Sequence, residues 1–253
     1  VKGWEVAIPS YKRAETLNAK TLTTLANGEV DPERITVWVA DEEEKATYEA
    51  TLNPEMYGEV RVSAPTLRGS RNAIWRNYEP GTYLMFCDDD IESIYRKRGE
   101  QGRAAVGDVE ELFNWLLESL ENSGLSLVGI YPVDNPYFMK HEWSTDLKYV
   151  IGALYGIRVE AGPHMDVTLE DKEDYERTIL HYLAHGGVLR RNDVGMVTRY
   201  YKEPGGMQVT RTAERITASA HYLAEKYPTL VRVREAKSGH TELSFRPQRR
   251  PQA

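Results

Sequence analysis

The stretch Tyr83-Leu84-Met85-Phe86-Cys87-Asp88-Asp89-Asp90 joins five apolar residues directly to three carboxylates. An apolar run of this length, entered from the turn Glu79-Pro80-Gly81 and ended by charge, predicts a strand buried on both faces. Such strands belong to sheets covered by helices on both sides. The chain before it supports that reading. Trp4-Glu5-Val6-Ala7-Ile8 reads as a first strand stopped by Pro9, Ile35 to Ala40 as a second, and Glu59 to Val62 as a short third. Helical spacing lies between them, in residues 14–26 (Leu17, Thr21, Leu22, Leu25, then the stop Asn27-Gly28), 42–52 and 70–78. The β-α-β-α-β-α-β order predicts an α/β fold with a mostly parallel sheet and helices on both faces.

The second half is more mixed. Residues 109–122 form an amphipathic helical pattern, with Asp108 as N-cap and Gly124 as its stop. Leu125 to Tyr131 predicts a strand, and a loop rich in Pro, Asn and aromatic residues follows. Leu147 to Ile157 is expected as strand, Tyr175 to Ala184 as helix, Val188 to Tyr201 as extended chain and Thr212 to Lys226 as helix. Leu230–Val233 and Thr241–Phe245 are expected to pair as a hairpin around Ser238-Gly239. This half is expected to extend the sheet and add a cap within a single domain over residues 1–253.

The 253 residues are 41% apolar and 28% charged, too apolar for a disordered chain and long enough to bury a substantial core. The longest nearly unbroken apolar run, Tyr149 to Ile157, is far shorter than the roughly 20 residues that span a bilayer. No charged-then-apolar leader opens the sequence, and the one cysteine, Cys87, excludes an internal disulfide and a Cys-based zinc site. The expectation is a soluble protein of a reducing cytoplasm, without a membrane or an obligate protein partner. A net charge of −7 argues against a protein that simply coats nucleic acid. From Arg199 onward, however, eleven Lys/Arg face five Glu and no Asp, a balance of +6 that leaves −13 for residues 1–198. An acidic body suits a metal site; a basic tail suits a polyanion.

Ligands of parallel α/β sheets sit beyond the carboxyl ends of the strands, which directs attention to Pro9–Arg13, Asp41 and Asp88–Asp90. In an extended segment Asp88 and Asp90 share a side and can reach one hard divalent cation, while Asp89 faces away to a hydroxyl or an arginine. The alternative is an ordinary acidic turn. In Leu67-Arg68-Gly69-Ser70-Arg71-Asn72, Gly69 permits close backbone approach and Arg71 offers a fork suited to phosphate. A glycine beside a surface arginine reads the same way. Pro9-Ser10-Tyr11-Lys12-Arg13 is either a plain loop-to-helix entry or a contact in which Tyr11 stacks on a base while Ser10 and Arg13 meet phosphate or ribose. Asp41 either accepts from a base N–H or caps the following helix.

In this order the motifs Ile8-Pro9-Ser10-Tyr11-Lys12-Arg13, Val39-Ala40-Asp41, Arg68-Gly69-Ser70-Arg71-Asn72 and Phe86-Cys87-Asp88-Asp89-Asp90 resemble the nucleotide-sugar glycosyltransferases of the GT-A (Rossmann-like) fold. Lys172-Glu173-Asp174-Tyr175-Glu176, and Gly205-Gly206 followed by Arg211, extend the resemblance over nearly the whole chain. The combination is most similar to the TET-associated glycosyltransferases of bacteriophages, which attach sugars to hydroxymethylated bases, chiefly 5-hydroxymethylcytosine in DNA.

The resemblance implies a UDP-sugar donor, a DNA acceptor, action in the bacterial host cytoplasm, a nucleotide-binding half (residues 1–98) and an acceptor half with a C-terminal cap (99–253). Pro9, Tyr11, Arg13 and Asp41 would line the base and ribose, and Arg71 would sit near base or phosphates. Asp88 and Asp90 would hold Mn²⁺ or Mg²⁺, with Asp89 near ribose or sugar. Glu173-Asp174 matches the acidic pair that supplies the general base, with Asp171 a rival; an acidic helix start favoured by the macrodipole is the plain alternative. Gly205-Gly206 would close over the donor, or be an ordinary turn, and Arg211 would meet phosphate. His240 is a further metal contact or a surface histidine; His164, His181, His185 and His221 are expected to be structural. On the acceptor side, Tyr137, Phe138 and Trp143 would stack on a flipped base, and Arg96-Lys97-Arg98 would hold phosphates. Two other readings stay open: a polysaccharide, protein or lipid acceptor, and a metal-dependent phosphodiesterase or nucleotidyltransferase.

Overall fold

A computed structural model describes residues 1, 3–198, 212–235 and 241–248. Its first half contains the strands Trp4–Pro9 (β1), Ile35–Val39 (β2), Glu59–Val62 (β3) and Tyr83–Cys87 (β4). Helices Ala14–Leu17 (α1) and Thr23–Asn27 (α2), joined by a π turn at Asn18–Leu22, then Glu42–Thr51 (α3) and Leu67–Arg76 (α4), connect them. The second half runs Ile91–Arg98 (β5), Gly102–Ala105 (β6), Val109–Ser123 (α5), Leu127–Ile130 (β7), Trp143–Ser144 (β8), Leu154–Arg158 (β9) and Glu173–His185 (α6). Leu189–Arg191 (β10), Val194–Thr198 (β11), Ala213–Lys226 (α7), Val231–Glu235 (β12) and Thr241–Phe245 (β13) follow.

Eight strands form the main sheet in the order β3-β2-β1-β4-β9-β7-β10-β8. β3, β2, β1 and β4 are parallel, β9 is antiparallel to both its neighbours, and β8 is antiparallel to β10. Strict alternation puts the two faces into separate cores. Val6, Ile8, Val37, Val39, Met85 and Cys87 pack on one side with the α5 residues Leu112, Phe113, Leu116, Leu117 and Leu120. Ala7, Trp38, Leu84 and Phe86 pack on the other with Ile74 of α4. Burial on both faces is why β4 reads as an unbroken apolar run and β2 as one interrupted only by the buried Thr36. A third cluster joins Ile179 of α6 to Ala220 and Leu223 of α7 and to the β12–β13 hairpin.

Three segments depart from expectation. Only Leu154–Arg158 of the apolar run is strand; Tyr149–Ala153 is irregular because its carbonyls bond to functional side chains and to the end of β4. The stretch 188–198 splits at Asn192-Asp193 into β10 of the main sheet and β11 of a three-stranded sheet, β11-β5-β6. β5 carries no clear strand pattern in the sequence, since its charged end masks the buried Ile91, Ile94 and Tyr95. Asp88–Asp90 is therefore a turn at the crossing from one sheet to the other. Asp108 and Gly124 bound α5 as expected: Asp108 accepts from Glu111 N, and Gly124 adopts a left-handed φ of 70°. No described helix is long and apolar enough to cross a membrane.

Candidate active site

The carboxyl ends of β1 and β4 open on a cavity of about 510 Å³, a size suited to a small-molecule ligand. Pro9, Ser10, Tyr11, Arg13 and the three aspartates line it, together with Glu170–Tyr175, Tyr149 and the Arg71 guanidinium. Arg215 and Ile216 of α7 complete the lining.

The aspartate turn is held from behind by the π turn. Thr21, buried within it, donates through Oγ1 to the Asp88 carbonyl (2.7 Å) and accepts from Ile91 N (2.9 Å). The extra residue in that helical turn presents Thr21 to both ends of the tight crossing. The Asp88 amide donates to the Ala153 carbonyl (2.8 Å), tying the turn to the irregular segment before β9.

Each aspartate has its own partners. Asp89 is buried: Ser10 Oγ donates to Oδ2 (2.7 Å) and Arg13 Nη1 to Oδ1 (3.1 Å). With the Ser10 proton directed at Asp89, the Tyr48 hydroxyl donates to Ser10 Oγ (2.7 Å), and the Arg13 amide donates to Tyr48 in turn (3.0 Å). Asp90 accepts from Thr198 Oγ1 at the end of β11 (2.8 Å) and lies 3.6 Å from Arg13 Nη1. Asp88 keeps 35% of its side chain exposed and accepts from Arg71 Nη2 (2.8 Å).

Arg71 connects this trio to the second acidic group. It is only 4% exposed, bonds the Gly152 carbonyl (2.9 Å) and the Tyr155 hydroxyl (3.2 Å), and places Nε 3.4 Å from Glu173. Glu173, also buried, has Arg177 at 3.6 Å on its other side. Asp171 is buried against Arg215 Nη2 of α7 (2.8 Å). Asp174 is half-buried on the cavity wall. Its Oδ1 accepts from the Tyr175 amide (2.9 Å) and its Oδ2 from the Tyr149 hydroxyl, whose ring stacks on Tyr175 at 4.3 Å. Lys12 (φ 54°) and Lys172 (φ 64°) adopt left-handed backbone beside these two groups, a conformation that costs roughly 1–2 kcal/mol per non-glycine residue.

Burial and repulsion from its neighbours Asp90 and Asp89 push Asp88 up to about 6, against the pull of Arg71. Burial raises Asp89 also, opposed by Arg13 and Ser10, and burial with repulsion from Asp174 raises Glu173. Crowded carboxylates on an open wall are a donor set of oxygen alone, and Asp88 with Asp90 fits a hard divalent cation such as Mn²⁺ or Mg²⁺. A cation held there would compete with the proton on Asp88. Mn²⁺ affinity, read by calorimetry between about pH 5 and 7.5, is expected to be flat at the upper end and to fall towards tenfold per pH unit below 6. Constant affinity across that range would take Asp88 out of the ligand set.

Several residues stand apart from the roles the sequence suggested. Arg71 is engaged by Asp88 and Glu173 rather than free for a phosphate; Asp89 meets a hydroxyl and an arginine as expected, in Ser10 and Arg13. Of the two roles open to Asp41, the helix cap is the one present: it caps α3, accepting from Glu44 N (2.9 Å), and does not line the cavity. Gly69 lies in the first turn of α4, donating to Thr66 Oγ1 (3.1 Å); a Cβ there would meet that oxygen at 2.9 Å. Of the residues expected to meet an acceptor, Lys97 donates through Nζ to the Glu100, Pro136 and Met139 carbonyls, and Arg96 covers the Trp115 ring at 4.7 Å. Trp143 packs on Trp115 (5.0 Å), whereas Tyr137 and Phe138 are exposed. Gly205, Gly206, Arg211 and His240 lie outside the described residues. Tyr48, Thr21, Tyr149, Thr198 and Arg215 escaped the sequence reading, because each reaches the site from an element distant in the chain.

No family model matches the sequence, and no curated protein matches it. Solved structures do. The mannosyltransferase PcManGT from Pyrobaculum calidifontis, in complex with GDP-Man and Mn²⁺, superposes with a TM-score of 0.54 at 16% identity, over 87% of this chain and 64% of its own. The glucosyl-3-phosphoglycerate synthase from Mycobacterium tuberculosis, in complex with Mn²⁺ and UDP-glucose, gives 0.53 at 11% identity, over 97% and 86%. The fold is that of the GT-A nucleotide-sugar glycosyltransferases. The chain spans 64% of the PcManGT chain and 59% of an S. aureus TarS chain that it also matches, at a TM-score of 0.49 and 16% identity. At these identities the likeness concerns the GT-A architecture; the chemistry has to be argued from the residues.

Proposed function

We propose that this chain transfers a sugar from a UDP-sugar to a hydroxyl group, with Mn²⁺ or Mg²⁺ held by Asp88 and Asp90. The observation that carries the proposal is the convergence, in one cavity, of the aspartate turn and the Glu173-Asp174 pair, with Arg71 in contact with both. A cation bound there supplies charge neutralisation for the diphosphate leaving group. The protein supplies the rest. Asp174 takes the proton of the acceptor hydroxyl as that oxygen bonds to the anomeric carbon, and the bond from that carbon to the diphosphate breaks with its electron pair on UDP. Tyr149 orients the Asp174 carboxylate. Arg71 and Arg177 fix Glu173 behind it, and Tyr11, on the cavity wall, offers a ring to the base.

The acceptor in this proposal is the hydroxymethyl group of 5-hydroxymethylcytosine in DNA. Its support is the resemblance of the motifs, the basic balance after Arg199 and the exposed aromatic pair Tyr137–Phe138. Such a base has to leave the duplex before its hydroxyl reaches a recessed cavity. Labelled UDP-sugars, Mn²⁺ and oligonucleotides with and without 5-hydroxymethylcytosine test both levels at once. Sugar on the modified strand alone, seen by nucleoside mass analysis, is the expected result. Transfer to other acceptors only would overturn the acceptor and keep the chemistry; release of nucleotide with no transfer to any acceptor would overturn the chemistry.

A further inference from the structure

The edge of the sheet opposite the aspartate turn carries a second cluster of metal-ligating side chains. β9 runs antiparallel to β4, with Arg158 opposite Tyr83, so Glu160, two residues beyond β9, lies at the end of the sheet away from Asp88. His164 sits in the 3-10 turn Pro163–Met165, and His185 is the last residue of α6, before Gly186 in the left-handed region. Glu160 Oε2 is 2.9 Å from His164 Nε2 and 2.8 Å from His185 Nε2, and the ligand atoms of all three residues lie within 4.8 Å of one another. The two imidazoles stand at 82° to each other. Arg158 Nε holds the other carboxylate oxygen of Glu160 (2.9 Å). A Cβ at position 162 would come within 2.7 Å of His164 Nδ1, so Gly162 leaves room for this ring.

We propose that Glu160, His164 and His185 form a structural site for a divalent transition metal of the zinc class, distinct from the donor cavity. Two imidazole nitrogens and one carboxylate oxygen are a borderline donor set that suits Zn²⁺ and disfavours Mg²⁺ and Ca²⁺, which take oxygen. Bonds of about 2.1 Å in a tetrahedral arrangement place ligands roughly 3.4 Å apart, so the present contacts open by about half an ångström through side-chain rotation. Both histidines bind through a neutral Nε2 with the proton on Nδ1. The side chains of Glu160, His164 and His185 are 14–20% exposed, which leaves the fourth position to water. His181, its ring 5.2 Å from His164, is engaged through Nδ1 by Ser126 Oγ (2.7 Å) and stays outside the set. The ion ties the C-terminal end of α6 to the loop after β9. That helix carries Glu173 and Asp174 at its other end, roughly 18 Å away.

Untagged protein with Asp88→Asn and Asp90→Asn removes the other candidate metal site and needs no sugar transfer to be read, so this test is separate from the proposed function. That protein is expected to bind one equivalent of Zn²⁺ and to give Co²⁺ the visible absorption of a low-coordinate nitrogen–oxygen site. Its Tm should rise by roughly 5 °C at about 100-fold excess of Zn²⁺ over Kd. Adding His185→Ala is expected to weaken Zn²⁺ binding by roughly 100-fold or more and to abolish the Tm shift. His164→Gln, which preserves packing volume, gives the same readout should the alanine variant fold poorly. Absence of stoichiometric Zn²⁺ in the double-asparagine protein, or Zn²⁺ affinity unchanged by both histidine substitutions, overturns the site.

Discussion

Asp174→Asn is expected to lower turnover by about 10²–10⁴-fold, the contribution of a positioned general base, while UDP and Mn²⁺ bind as before. The three acidic candidates differ in what surrounds them. Asp171 is buried against Arg215, and Glu173 is enclosed between Arg71 and Arg177. Asp174 alone of these three is half-buried on the cavity wall, its two oxygens accepting from Tyr149 and the Tyr175 amide. Asparagine retains the volume and one acceptor but takes no proton at neutral pH. Single-turnover kinetics separate this loss from a binding defect. Tyr149→Phe keeps the ring stacked on Tyr175 and removes one hydrogen bond, so its loss should be far smaller and confined to kcat. Undiminished turnover in Asp174→Asn would move the base to Asp171.

Arg71→Met is expected to cost about 3 kcal/mol of stability at neutral pH and to abolish transfer. The guanidinium neutralises Asp88 from Nη2 and Glu173 from Nε, and removing one partner of a buried ion pair costs about 3–5 kcal/mol. The lower end applies because Asp88 keeps a third of its side chain in water, whereas Glu173 is 6% exposed. Without the cation both carboxyl groups titrate still higher in the folded protein than in the unfolded chain. The folded state then binds more protons, so its stability falls as pH rises through that window and is partly regained on acidification. Urea unfolding of variant and parent at about pH 5.5 and 8 is expected to show the larger gap at the higher pH. An equal gap at both would mean that Arg71 acts through packing on the Tyr155 and Phe86 rings, 5.4 and 5.7 Å from its guanidinium carbon, rather than through charge.

The parallel half of the fold was legible residue by residue. Val6, Ile8, Val37, Val39, Met85 and Cys87 turn to one core and Ala7, Trp38, Leu84 and Phe86 to the other, so β1, β2 and β4 had to be apolar almost throughout. A strand with two buried faces writes itself into the sequence. β5 has fewer buried positions and ends in Arg96-Lys97-Arg98, and the run Tyr149–Ala153 is apolar without being strand. Burial, not pairing, is what apolar composition reports. The pairing of β12 with β13 and the caps of α5 were visible because strand patterning and cap chemistry are local; the expected turn Ser238-Gly239 lies outside the described residues.

Within the site, residue identity marked the acidic turn, since crowded carboxylates at a strand end are costly unless something uses them, the position after β1 marked the loop Pro9–Arg13, and the motif resemblance marked the Glu173-Asp174 pair. Only the tertiary structure decided which of these groups face the cavity and which hold others in place. Arg71 reads as a phosphate fork or a surface arginine and is a buried counter-ion; of the two roles open to Asp41, base contact or helix cap, the cap is the one present; Asp89 meets a hydroxyl and an arginine as its place in the turn suggested, in Ser10 and Arg13. Thr21, Tyr48, Tyr149, Thr198 and Arg215 carry no mark of function in their own neighbourhoods. Their parts come from partners 25 to 108 positions away, which folding brings within hydrogen-bond distance and local sequence does not encode.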